Sequence, residues 1–165
     1  MVTIAAEPLT AEAFAPFGTV LRAPSRDADA SGPGWRWWAE TSLLAGDGRP
    51  WSVGWLGLRP TDLRFDWAER HLRSPEAIVA TGEDLLVYVG PPDHPEEPER
   101  LTALQRFRAF RVPAGAGVLM DPGVWHGAPF TARGATPAMV LLLEGTASRD
   151  VTVVRFEDAP VEIGG

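Results

Sequence analysis

Along most of the chain the apolar positions come in short runs bounded by glycine, proline and aspartate. The three-to-four-residue recurrence of an amphipathic helix is rare. These runs predict strands at 51–58 (WSVGWLGL), 63–68 (LRFDWA), 77–80 (AIVA), 84–90 (DLLVYVG), 106–112 (RFRAFRV), 117–120 (GVLM), 138–144 (AMVLLLE) and 151–156 (VTVVRF). Turn signals separate them: GPP, PAGAG, DPG and EGT. One helix is expected over 8–17 (PLTAEAFAPF), with Thr10 as its N-cap and Phe14 and Phe17 on its apolar side. The segment 98–105 (PERLTALQ) predicts a single helical turn, and 22–34 a loop. Many short strands with little helix predict an all-β barrel or sandwich. No internal repeat or linker interrupts the pattern, so 1–165 is expected to be one domain.

The composition narrows the chemistry. Of the 165 residues 45% are hydrophobic and 22% charged, the balance of a folded globular chain. No apolar run approaches the roughly 20 residues that span a bilayer. The start, MVTIAAEPLT, lacks a basic segment followed by an apolar one, so no signal peptide and a cytoplasmic protein are expected. A net charge of −7 argues against nucleic acid, which is bound by cations that neutralise phosphates. The cluster Arg106, Arg108 and Arg111 is expected to be a solvated strand face.

Absences exclude more. There is no cysteine, which removes disulfides, thiolate ligands and cysteine nucleophiles together. All fifteen basic residues are arginine, so no Schiff-base or phosphate-loop lysine exists. Of three histidines, His94 lies in the Pro-rich acidic loop PPDHPEEPE and is expected to be solvated. Imidazole chemistry therefore falls to His71 and His126. The seven tryptophans are expected mostly in the core or at a subunit interface.

His71 sits in WAERHLRSPE (67–76), two residues after Glu69, so an extended strand points both side chains to one face. Glu76 follows across a Ser-Pro kink, and Arg70 faces away from Glu69, toward solvent or a partner subunit. His126 follows the turn Asp121-Pro122-Gly123 in GAGVLMDPGVWHGAPF (115–130). Two hairpins, each carrying a histidine near a turn, can assemble a metal site in a small β-barrel. Imidazoles with carboxylates suit Zn²⁺, Mn²⁺, Fe²⁺ or Ni²⁺ and leave positions open for a substrate.

The two stretches resemble the paired motifs of the cupin superfamily. Glu69 stands where the first motif has its first histidine, His71 matches the second, Glu76 the glutamate, and Gly82 comes one residue early. Gly115, Gly123 and His126 match the second motif, in which Asp121 replaces a proline and Phe130 an asparagine. A closer resemblance is to the ureidoglycolate lyase family of cupins. It is carried by PLTAEAFAPFG (8–18), ERHLRSPEAI (69–78), FRAF (107–110) and GVLMDPGVWHGAP (117–129), collinear over most of 8–150. The departures lie in the polar lining: Asp121 and Pro122 at the turn, Gly127 for a second histidine, Glu76 for a glutamine, WLGL where an arginine is expected, and Glu144-Gly145 for Asp-Arg.

That resemblance implies an all-β, cupin-type antiparallel β-barrel (a double-stranded β-helix) with a short N-terminal helix. It implies a lyase that splits ureidoglycolate to glyoxylate and urea with a divalent metal, no organic cofactor, and a homodimer. Glu69, His71 and His126 would be metal ligands, with His126 also a catalytic group, Glu76 a fourth ligand or the proton carrier, and Asp121, chiefly a turn former, the reserve acid or base. With several cations missing, metal chelation or a distant arginine such as Arg36 or Arg59 would have to hold the substrate carboxylate. Two alternatives stand beside it: a cupin lyase, isomerase or cyclase acting on a larger, more apolar molecule, and a cupin that binds a small molecule without catalysis.

Overall fold

The computed structural model describes residues 2–131 and 133–164. In chain order the strands and helices are β1 (Val2–Pro8), α1 (Ala11–Phe14), β2 (Gly18–Leu21), β3 (Ala30–Gly32), β4 (Trp35–Trp37), β5 (Trp51–Leu58), β6 (Arg64–Phe65), β7 (Trp67–Arg70), β8 (Glu76–Ala80) and β9 (Leu85–Gly90). They continue with β10 (Arg108–Val112), β11 (Gly117–Met120), β12 (Trp125–His126), β13 (Phe130–Thr131), β14 (Thr136–Leu143), α2 (Thr146–Arg149), β15 (Thr152–Arg155) and β16 (Val161–Gly164). The protein is all-β. A nine-stranded sheet runs β15-β7-β12-β9-β10-β1-β16-β6, with β13 also pairing β9, and a five-stranded sheet runs β2-β11-β8-β14-β5.

The two sheets curl around one apolar layer. Ile78, Ala80, Val118, Met120 and Ala138 from the smaller sheet meet Leu85, Val87, Val89, Phe110 and Val112 from the larger, and Phe14 and Phe17 close one end. Each of these side chains other than alanine contributes roughly 1.5–3 kcal/mol by leaving water. The larger sheet is covered on its outer side as well, where Phe65 stacks on Tyr88 at 3.8 Å and Phe107, Trp125 and Val161 join them. This explains why β9 carries six buried residues in succession: both of its faces are interior.

The eight expected strands are all present, 51–58 and 117–120 with the expected ends and the others with shifted ones; 63–68 is split at Asp66, whose carbonyl accepts from Phe156 N–H. The expected helix is one turn, α1, and Thr10 does cap it, its hydroxyl accepting from Ala13 N–H at 3.1 Å. The expected turn at 98–105 is a 3₁₀ turn at Leu104–Arg106. Strands β1, β2, β3, β4, β12, β13 and β16 lack a readable pattern, and β3 falls inside the segment 22–34 expected to be loop. They are short or run parallel to distant partners, as β1 does with β10 and β16.

Two expectations about side chains are corrected. Arg70 does not face solvent: it is fully buried over the Trp125 ring at 4.3 Å. Its guanidinium donates to the carbonyls of Asp93, His94, Glu97 and Pro98 at 2.6–3.1 Å, holding the acidic loop against β7. A planar fork of five donors can satisfy that many acceptors, so burial of the charge is tolerated. Arg108 is half-buried and paired with Glu7, and Arg106 with Asp93, so this cluster is not a free basic face. Of the tryptophans only Trp125 is fully buried, whereas Trp35, Trp37 and Trp55 are more than half exposed. Among the described residues, no helix is long and apolar enough to cross a membrane.

Candidate metal centre

Strand pairing builds the site. In the antiparallel pair β7–β12, Glu69 stands opposite His126, so their side chains leave the same face of the sheet. His71 follows two residues after Glu69 on that face. Trp125 and Arg70, each one step out of phase, point the other way and stack together. Glu76 enters from the facing sheet as the first residue of β8. One donor atom each from Glu69, His71 and His126 lies within 4.8 Å of the others.

Both imidazoles are oriented from behind. His71 Nδ1 donates to the Asp150 carbonyl at 2.7 Å and His126 Nδ1 to the Val124 carbonyl at 2.9 Å, which turns both Nε2 atoms inward. They lie 2.8 and 3.1 Å from the same oxygen, Glu76 Oε2. Burial opposes charge on both partners, yet the Glu76 carboxylate keeps His126 protonated up to about 9. Burial likewise resists ionisation of Glu76, but His126 and His71 hold its carboxyl down at about 2. Asp150 has a second role: its carboxylate accepts from the Leu72 and Arg73 N–H groups at 3.0 and 2.9 Å, clamping the turn that carries His71. Nothing near Asp150 in the sequence marks this, because its partners are 77–79 residues away.

The donor set fits a divalent ion. Two imidazoles and two carboxylates are the ligand types of borderline metals. Adjacent donors on one such ion, each roughly 2.1 Å from it, sit about 3 Å apart. The spacings of Glu76 Oε2 from the two Nε2 atoms have that size.

These groups form one end of a cavity of about 420 Å³, also lined by Gly54, Trp55, Leu56, Trp67, Ile78, Gly127, Ala128, Val140, Leu142, Ala147 and Val151. Glu69, His71 and Glu76 line it, and His126 lies behind them, bonded to Glu76. Asp121 is not brought in. It is exposed beside Thr19, Leu119 and Pro122 over a separate depression, its backbone bonded to Phe17 and Val124. Gly123 at that turn has φ +87, a conformation that glycine adopts without strain. Neither Arg36 nor Arg59 lines the cavity, and among the described residues no arginine does.

A model of the ureidoglycolate lyase family matches residues 1–163. The chain belongs to the ureidoglycolate lyase family. No curated protein matches it. Among solved structures it is similar to a dTDP sugar isomerase from Desulfovibrio desulfuricans G20, with 16% identity, 86% of this chain and 87% of that chain covered, and a TM-score of 0.45.

Membership in the ureidoglycolate lyase family makes the chain lyase-like and gives the departures a setting. At Gly127, where the resemblance expects a second histidine, a Cβ would lie 1.8 Å from the Tyr88 hydroxyl oxygen and 3.2 Å from the Trp67 ring. The Tyr88 hydroxyl donates to the Trp67 carbonyl at 3.0 Å. Two aromatic side chains thus occupy the space an imidazole would need.

Proposed function

We propose that this protein is a metal-assisted carbon–nitrogen lyase that splits ureidoglycolate-type carbinolamides, releasing glyoxylate and, from ureidoglycolate itself, urea. One observation carries the proposal: the donor atoms of Glu69, His71 and His126 lie within 4.8 Å of one another, where Glu69 and His71 line one end of an otherwise apolar cavity. A divalent ion held there by these three residues, with Glu76 alongside, would polarise the hydroxyl and carboxylate oxygens of the substrate. The residues have separate tasks. The carbonyls of Asp150 and Val124 keep both Nε2 atoms aimed inward. Glu76, the most deeply buried carboxylate at the cluster, moves the proton between the hydroxyl and the departing nitrogen. Among the described residues no arginine lines the cavity to supplement the hold on the substrate carboxylate, so binding depends on the metal centre.

Metal analysis of the purified protein, with urea release measured in the presence and absence of EDTA, tests the assignment. We expect a bound Zn, Ni, Mn or Fe ion and turnover that chelator abolishes. Robust turnover that EDTA leaves untouched would overturn the metal's role.

We further propose that 1–165 acts as one cupin-like domain in a cytoplasmic homodimer. The supporting observation is the outer face of the five-stranded sheet. There Val53 pairs with Leu141 and Trp55 with Met139, and Val53 and Trp55 are 59% and 64% exposed. An antiparallel sheet facing water normally carries polar residues on that side. A two-fold axis would lay this apolar face against its own copy.

A further inference from the structure

We propose that the carbinolamide preferred here carries an apolar acyl group, an aromatic one above all, on its nitrogen: an N-acyl-α-hydroxyglycine favoured over ureidoglycolate. The inference rests on the lyase assignment and adds to it the substituent that the rest of the cavity accepts.

The cavity has two unlike ends. Every ionisable group lining it, Glu69, His71 and Glu76, sits at one end. The remaining walls are chiefly Leu56, Trp67, Ile78, Val140, Leu142 and Val151, completed by Trp55 and by glycine and alanine positions, with no hydroxyl, amide or guanidinium side chain among them. Chain geometry fixes this. Leu56 and Val140 point inward on β5 and β14 and pack against the main core. Trp67 leaves β7 on the same face as Glu69, two residues earlier. The bare backbone at Gly127 leaves room for the Trp67 ring beside it.

A ureido group is a poor match for such walls. Its terminal NH₂ and its carbonyl need partners once buried, and each one left unpaired weakens binding roughly ten- to a hundredfold. A phenyl ring in the same place needs none and gains roughly tenfold or more from leaving water. Size agrees. About 420 Å³ lies in the range that holds ligands larger than ureidoglycolate.

The reaction is unchanged in kind. The hydroxyl O–H bond breaks and its proton passes to a carboxylate. The C–N bond breaks with its electron pair going to nitrogen, which takes up a proton and leaves as the primary amide. The hydroxyl-bearing carbon becomes the aldehyde of glyoxylate, and nothing is oxidised or reduced.

Hippurate and hydantoate are unreactive probes that share the glycine carboxylate and differ only in a benzoyl against a carbamoyl group. Titration calorimetry of the metal-loaded protein is expected to show hippurate binding at least tenfold more tightly. Trp67→Ala, and independently Val151→Gln at the exposed mouth, should shrink that ratio several-fold while circular dichroism stays unchanged. Hydantoate binding as tightly as hippurate overturns the inference. Turnover separates the two proposals. Glyoxylate release from α-hydroxyhippurate, with kcat/KM at least tenfold above that for ureidoglycolate, supports both. Release from ureidoglycolate without preference for the benzoyl compound overturns the apolar acyl pocket and leaves the lyase. Release from neither, with hippurate still the tighter ligand, overturns the lyase and leaves the pocket.

Discussion

Glu69 and His126 stand opposite each other on the paired strands β7 and β12, although 57 positions of sequence separate them. That register, with His71 two residues beyond Glu69, determines the face on which the three donors meet. A one-residue slip would send His126 into the space of Trp125 and dismantle the site. The prediction is direct: His126→Ala weakens divalent-metal binding roughly a hundredfold or more. Metal titration followed by calorimetry checks it, and near-native affinity in the variant would reject His126 as a ligand.

Metal uptake should depend steeply on pH. His126 must lose a proton to coordinate, and Glu76 keeps that proton on up to about 9. Below pH 9 apparent affinity should therefore fall by roughly tenfold per unit for this proton alone. Proton release on metal binding, measured in buffers of different ionisation heat, reports the same event. A flat affinity profile between pH 6 and 8 would contradict it.

The metal-free protein should show the opposite trend in stability. His126 is raised from 6.5, so its contribution is complete below pH 6.5 and is lost as pH rises through about 9. Glu76 is lowered from 4.5, so its contribution is complete above pH 4.5 and is lost as pH falls through about 2. The two belong to one hydrogen-bonded pair, so their shared contribution peaks between about pH 4.5 and 6.5. Thermal unfolding in EDTA should give its highest midpoint in that window and a decline toward pH 9.

Glu76→Gln keeps the shape of the side chain and removes its charge. If Glu76 carries the proton, turnover should drop by about 10²-fold or more while substrate KM changes little. Unchanged turnover would reassign the proton transfer to another group.

Arg70→Lys should destabilise the fold by about 3 kcal/mol or more, because an ammonium cannot reach the four carbonyls the guanidinium serves. Urea denaturation measures the loss. The acidic loop at 91–100 should become the first segment cut by protease.

Val53→Glu with Trp55→Glu should convert a dimer into a monomer of 17.8 kDa by light scattering, since charge on a buried apolar face has no partner there. A wild-type protein already monomeric at high micromolar concentration would defeat the homodimer.

Much of this molecule was decided locally. Short apolar runs bounded by turn residues marked eight strands, Thr10 marked a cap, the Asp121-Pro122-Gly123 turn aimed the chain into β12, and alternation put Glu69 and His71 on one face. These are nearest-neighbour effects of backbone geometry, so a linear chain carries them. Tertiary structure decided the rest. Glu76 reaches the imidazoles only because β8 lies in the opposite sheet, and Asp150 meets His71 only because α2 and β15 return beside β7. The same surroundings bury Arg70, leave Asp121 outside and give the cavity its apolar walls. Local periodicity sets the direction a side chain leaves its strand, but what it meets depends on packing between strands remote in sequence.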